Sequence, residues 1–96
     1  MNKNQILAKY NSLGLETEYG LDKPGKVYPP HRHEKTFLYT LGGSIKIKID
    51  NKEWMELEKG EEFIVGSNQL HEAIVGKDGW EYVAAWDKEE AKRFSH

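Results

Sequence analysis

Cysteine is absent from this sequence, and its absence excludes disulfide bonds and thiolate metal sites. Histidine and carboxylate side chains are therefore the only strong ligands that the chain could offer to a transition metal. The sequence also lacks an apolar run of transmembrane length, and its first residues lead into no apolar segment of signal-peptide length. We expect a cytoplasmic protein that does not span a membrane.

A block of basic residues is also missing. The 14 Lys and Arg residues and the 16 Asp and Glu residues are spread along the chain, and the formal net charge is -2. This balance argues against nucleic acid or an anionic membrane as a partner. A chain of 96 residues forms one domain with a modest core. Such a chain often gains stability by self-association, so we expect a homodimer.

The clearest periodicity is the alternation of isoleucine and lysine in residues 44–50. Alternation with a period of two is typical of a strand that has one buried face and one solvated face. Other short apolar runs are separated by turn-forming residues, as at Gly42-Gly43 and Lys77-Asp78-Gly79. About eight short strands result, and they predict an all-β fold, either a sandwich or a small closed barrel.

The two ends of the chain depart from this β pattern. Residues 2–12 read as a short helix, so residues 1–19 are predicted to form an N-terminal helix or arm that packs on the barrel of residues 20–86. At the other end, Asp87 can cap a helix, and the glutamate three residues later would complete a capping box. Residues 87–96 are therefore predicted to contain a short C-terminal helix.

A pair of histidines stands out in the segment His31-Arg32-His33. On an extended segment they would point the same way, with their Cα atoms roughly 6–7 Å apart. Two imidazoles at that spacing can converge on one ion at bond lengths of about 2.0–2.1 Å. Pro29-Pro30 stiffens the approach to the pair. A metal site and an ordinary pair of polar side chains both remain open at this point.

The order of glycines and histidines resembles the two motifs of the cupin superfamily, in its small single-domain form. In the first motif a Gly is followed by five residues, His-x-His, three or four residues, Glu, six residues and Gly. Gly25, His31, His33 and Gly43 match this order. The resemblance covers about residues 20–86 and implies a cupin β-barrel of the jelly-roll type with short terminal helices.

The second cupin motif is matched in part. Gly60 begins it, and His71 stands at the position of the third histidine of the family. Gly66 replaces the motif's proline, Asn68 its second glycine and Val75 its asparagine. Asn is a tolerable replacement for Gly, because it adopts left-handed backbone conformations more readily than most residues. By resemblance, the third histidine would join the first two on one ion.

The glutamate that completes the first cupin motif, a metal ligand in the family, is missing. Counting back from Gly43 puts its position at Thr36, and counting forward from His33 puts it at Phe37. Glu34 is near in sequence, but on a continuous strand it would point away from His33. A bulge could redirect its side chain, so Glu34 remains a weak candidate ligand.

The resemblance implies a divalent ion held by His31, His33 and His71, with positions open to water or substrate. Imidazole ligands suit Fe, Ni, Cu, Zn or Mn better than Mg or Ca, and the identity of the ion stays open. Without the glutamate the site keeps the full charge of the ion, so a small anionic or polar molecule is expected in the barrel. Phe37 and Tyr39 are candidates to contact it, although either could be a core residue.

Three functions are compatible with these observations. The first is a cupin that binds a metal and a small molecule. The second is a metal-free binding or sensor module, which the missing glutamate favours. The third is a metal-dependent enzyme, such as an oxygenase or an isomerase of a small metabolite. Cupins host many unrelated activities, so whether the chain is an enzyme is not decided by its fold.

Overall fold

The computed structural model describes residues 1–94. Over these residues the chain forms six strands, two α-helices and a final 3-10 helix, and no helix among them is long and apolar enough to cross a membrane. The elements are α1 (Lys3–Ser12), β1 (Glu16–Asp22), β2 (Val27–His31), β3 (Thr36–Ile49), β4 (Trp54–Glu58), β5 (Glu62–Val65), β6 (His71–Trp86), α2 (Lys88–Ala91) and the 3-10 helix Lys92–Phe94.

The two long strands β3 and β6 form the centre of a single antiparallel sheet. They pair along their whole length, from Thr36 opposite Trp86 to Ile49 opposite His71. β1 and β2 pair with the two halves of β6, whereas β4 and β5 pair with the two halves of β3. The ladder of hydrogen bonds does not close on itself within the described residues. The predicted all-β architecture is confirmed, as an open jelly-roll-like barrel.

Six strands, of which β3 and β6 are long, replace the roughly eight short strands that the turn signals predicted. Gly42-Gly43 lie inside β3, and Lys77-Asp78-Gly79 lie inside β6. Gly43 and Gly79 have φ angles of 66° and 79°, and a Cβ at Gly43 would stand 2.0 Å from the carbonyl oxygen of Gly79. These glycines therefore let two paired strands bend and cross closely, with a shift of register beside Gly43, instead of ending either strand.

The register shift changes which residues face the interior. In the first half of β3, Thr36 and Leu38 line the interior, whereas in the second half Ile45 and Ile47 do. The interior of the barrel is therefore built from both halves of the same strand. Its buried residues are Ile45, Ile47, Leu57, Ala73, Val75, Trp80, Tyr82 and Ala84.

A second apolar cluster lies on the outer face of the sheet, under α1. Ile6 and Tyr10 of the helix are fully buried there against Tyr39, Val83 and Ala85. α1 begins with a capping box in which the side chains of Asn2 and Gln5 each bond to the other's backbone N–H. β1 extends across residue 19, where the N-terminal arm was predicted to end. The division of the chain at residues 19 and 86 stays a prediction.

The C-terminal helix is capped as predicted, but only one half of the capping box forms. The side chain of Asp87 accepts a hydrogen bond from the backbone N–H of Glu90 at 2.9 Å. The carboxylate of Glu90 instead accepts from the backbone N–H of Lys35 at 2.9 Å. α2 is thereby tied to the loop that follows β2. Ser95 and His96 of the predicted helical segment lie outside the described residues.

Candidate metal centre

The three histidines singled out in the sequence come from two neighbouring strands and one loop. His31 is the last residue of β2 and His71 is the first of β6, and the two are partners in the antiparallel register. His33 lies two residues beyond the end of β2. The extended segment that the sequence predicted for the pair therefore ends at His31. The loop turns the second ring toward the first.

The rings of these three residues converge. Each offers a ring nitrogen, and these nitrogens lie within 4.8 Å of one another. The ring centroids are 4.1 Å apart for His31 and His71, 4.4 Å for His33 and His71, and 5.1 Å for His31 and His33. Imidazoles bound to one ion at about 2.0–2.1 Å have nitrogens within such a distance. The group could hold a metal ion.

Hydrogen bonds to the backbone orient all three rings in the same way. The Nδ1 atoms of His31, His33 and His71 lie 2.6, 2.7 and 2.9 Å from the carbonyl oxygens of Pro29, Glu34 and Gln69. A carbonyl oxygen only accepts, so each Nδ1 carries the proton. In the neutral ring Nε2 then keeps a free lone pair, which is the form that binds a metal. The donor set fits a divalent transition metal.

His71 is the most buried member of the group, with 6% of its surface exposed. Burial lowers its pKa below 6.5, the bond to the carbonyl oxygen of Gln69 opposes this in part, and the proximity of His33 and of His31 each adds a smaller lowering. A lowered pKa favours the neutral imidazole at neutral pH. The most deeply placed ring is therefore ready to act as a ligand without first losing a proton.

The histidines stand at one end of a cavity of about 330 Å³ inside the barrel. This volume is at the lower end of the range for small-molecule sites. The deeper wall is apolar and includes Leu38, Ile45, Ile47 and Ala84. A small molecule in this cavity would be in contact with any ion on the histidines.

Glu34, the weak candidate ligand, also faces the cavity. Its Oε2 atom lies 3.9 Å from Nδ1 of His33, the ring nitrogen that bonds to the backbone oxygen of Glu34 itself. The chain has left the strand at this point, which explains why Glu34 does not point away from the site. A role for Glu34 as a ligand stays a prediction.

The two aromatic residues that were candidates to contact a ligand lie on the other face of the sheet. Phe37 and Tyr39 pack in the cluster under α1, with Tyr39 only 7% exposed. Their neighbours Thr36 and Leu38 face the cavity instead, because successive side chains of a strand alternate between its faces. The structure therefore places both aromatic residues away from the three histidines, as core residues.

Four further residues line the cavity that the sequence did not single out as site residues: Glu18, Tyr28, Tyr82 and Trp86. Glu18 stands opposite Ala84 in the pairing of β1 with β6, so it shares a face with Tyr82 and Trp86, two residues to either side. The alternation of side chains along β1 leaves open which of its two faces points to the interior. Only the pairing with β6, which follows some 60 residues later in the chain, selects the inner one.

Solved structures similar to this chain are cupins. KdgF from Halomonas sp. matches with a TM-score of 0.67 at 20% identity, over 75% of this chain and 68% of that chain. A cupin superfamily protein from Desulfitobacterium hafniense matches with a TM-score of 0.67 at 15% identity, over 75% and 65%. A variant of oxalate decarboxylase from Bacillus subtilis matches with a TM-score of 0.70 at 20% identity, over 81% and 22%.

These similarities show that the chain has the cupin fold, as the two sequence motifs implied. No family model and no curated protein matches the chain. The chain spans only about a fifth of the length of oxalate decarboxylase. At identities this low the likeness concerns the fold, and activity has to be argued from the site.

Proposed function

We propose that this protein is a small cupin that binds one divalent transition metal ion through the Nε2 atoms of His31, His33 and His71. The adjoining cavity would accept a small molecule in contact with that ion. The observation that carries the proposal is the common orientation of the three rings, each with its Nδ1 on a backbone oxygen. A metal-free polar cluster has no need for three free Nε2 lone pairs directed to one place.

An ion at this position would supply Lewis-acid chemistry and would lower the pKa of a water molecule bound to it. The protein's own residues would hold the ion, exclude bulk water from the apolar wall and orient the second molecule. Fe, Ni, Cu, Zn and Mn are all compatible with imidazole ligands. An enzyme such as an oxygenase or an isomerase remains one form of this proposal. A cytoplasmic location and a homodimeric state are also proposals.

The proposal predicts that substitution of a single histidine weakens metal binding strongly. We expect His71→Gln to reduce affinity for Ni²⁺ or Zn²⁺ at least about a hundredfold, because one of three ligands is lost; even the loss of an outer partner typically costs 10–100-fold. Titration calorimetry of protein stripped with EDTA measures the affinity, and metal analysis of the purified protein identifies the natural ion.

The matched control is His96→Gln, which changes the one histidine outside the group and should leave metal affinity unchanged. Far-ultraviolet circular dichroism of each variant checks that the fold is kept. Equal metal affinity in the wild-type protein and in His71→Gln would reject the three-histidine site. A small ligand that raises the melting temperature equally with and without EDTA would favour the metal-free binding module instead.

A further inference from the structure

The charges around the cavity are all of one sign. Glu18 and Glu34 line it, and no lysine or arginine does among the residues that the structure describes. Glu18 is exposed although it lines the cavity, whereas Glu34 stands beside the histidines. An anionic group of a ligand would therefore find no basic side chain, and only an ion on the histidines could neutralise it.

The hydroxyl groups around the cavity have already donated their hydrogens. Tyr28 donates to the carboxylate of Asp22, and Thr36 donates to the backbone oxygen of Glu34 at 3.0 Å. Tyr82 shares a hydrogen bond with Tyr28, and because the hydrogen of Tyr28 is directed to Asp22, Tyr82 is the donor. These oxygens present only lone pairs to the interior. The polar groups of the cavity wall, apart from the indole N–H of Trp86, are therefore hydrogen-bond acceptors.

Aromatic rings flank Glu18 in the same wall. In the pairing of β1 with β6, Glu18 faces Ala84, and Tyr82 and Trp86 lie two residues to either side of that partner. Diagonal neighbours of this kind are within reach of long side chains, and both rings line the cavity with Glu18. The faces of aromatic rings attract cations. The ring of Tyr82 is stacked on Trp80 with centroids 4.0 Å apart and lies against Gly20, so Tyr82 contributes its hydroxyl oxygen and not a free ring face. A carboxylate between that oxygen and the ring of Trp86 is a favourable place for a positively charged group.

We propose that the cavity takes a small aminocarboxylate, with its protonated amine at Glu18 between Tyr82 and Trp86 and its carboxylate toward the three histidines. The amine supplies the positive charge that the wall lacks and hydrogen-bond donors for the oxygens of the wall. The placement of the carboxylate rests on the proposed metal site, whereas the placement of the amine does not. The two halves of the proposal can therefore be tested separately.

Matched pairs of probes test the whole arrangement. Linear ω-amino acids from glycine to 5-aminopentanoate are titrated into Ni²⁺-loaded protein, each beside the carboxylate in which a methyl group replaces the ammonium. We expect at least one amino acid to bind at least tenfold more tightly than its methyl counterpart. Glu18→Gln should abolish that preference. The control Glu56→Gln removes a carboxylate from the outer face and should leave the preference unchanged.

n-Butylammonium tests the amine position alone, on protein kept in EDTA. We expect it to shift the NMR signal of the Trp86 indole N–H in the wild-type protein and not in Glu18→Gln. Equal shifts in both proteins, or equal binding of every amino acid and its methyl counterpart, would overturn the inference. A protein that binds n-butylammonium through Glu18 but fails to bind Ni²⁺ would refute the metal site and leave the amine position standing.

Discussion

Thr36 occupies the position that the cupin motif gives to a glutamate when the spacing is counted back from Gly43. It is buried, it faces the cavity, and its Oγ1 lies 3.3 Å from Nδ1 of His33. Phe37, the other possible position, faces α1. The structure thereby decides between two alignments that the sequence left open. The residue at the glutamate's place in the barrel is a threonine.

Thr36→Glu should therefore create a fourth ligand at the site. We expect Ni²⁺ affinity to rise at least about tenfold, because a carboxylate adds charge to a neutral donor set. Without metal, the same variant should have a lower free energy of unfolding, since a carboxylate is buried without a partner. Titration calorimetry and urea unfolding in EDTA measure the two effects. Unchanged affinity would show that residue 36 does not reach the ion.

The convergence of the histidines was predicted from motif spacing, but the orientation of their rings was not. His31 and His33 were expected on one extended segment, whereas β2 ends at the first of them. The bonds from Nδ1 to backbone oxygens depend on that loop and on the start of β6. Local sequence carries no signal for such bonds, because any residue supplies a carbonyl oxygen.

At the scale of elements, the β class of the fold was predicted correctly and the number of strands was overestimated. The turn-forming residues Gly42-Gly43 and Lys77-Asp78-Gly79 fell inside β3 and β6, because Gly43 and Gly79 permit a bend where the two strands cross. Asn68 did behave as its replacement of a glycine suggested, with a φ of 58°. The backbone conformation of a single turn residue can thus be predicted from its residue type. Whether a strand continues past the bend depends on its partner strand.

The hydrogen bond between Glu90 of α2 and the backbone N–H of Lys35, in the loop after β2, should depend on pH. Bonds from the Lys35 backbone and from the Ser67 side chain lower the pKa of Glu90 below 4.5. Because the folded pKa is the lower one, the link is fully present above the unfolded pKa and is lost as pH falls through the folded pKa. We expect the amide signal of Lys35 in NMR spectra to move with a midpoint below 4.5.

Two variants of α2 test the assignment of that midpoint. Glu90→Gln should remove the titration of the Lys35 amide while leaving a weaker hydrogen bond, because the amide oxygen can still accept. Glu89→Gln changes the neighbouring carboxylate, which pairs with Lys92 instead, and should leave the titration in place. A midpoint above the ordinary pKa of glutamate would contradict the bond.

At the scale of the whole molecule, the predicted homodimer has a candidate surface. Val27 and Ile74 are partners on adjacent strands of the outer face, and they are 59% and 39% exposed. Trp54 lies on the same face beside Lys46 and a groove between the strands. Apolar side chains among charges of both signs are typical of surfaces that associate.

Ile74→Lys should convert a dimer into a monomer, because it places a charge in the centre of this surface. Sedimentation at micromolar concentration is expected to give twice the monomer mass for the wild-type protein and the monomer mass for the variant. Leu21→Lys, at an exposed position on β1, is the control and should remain dimeric. A monomeric wild-type protein under these conditions would contradict the predicted homodimer.

The placement of β6 has a consequence for the synthesis of the protein. β1, β2 and β3 all pair with this one strand, which begins only at His71. A nascent chain that has not yet delivered β6 from the ribosome cannot assemble the sheet around that strand, and the rings of His31 and His33 cannot yet meet that of His71. Chaperones therefore have the interval before β6 emerges in which to act on the incomplete sheet.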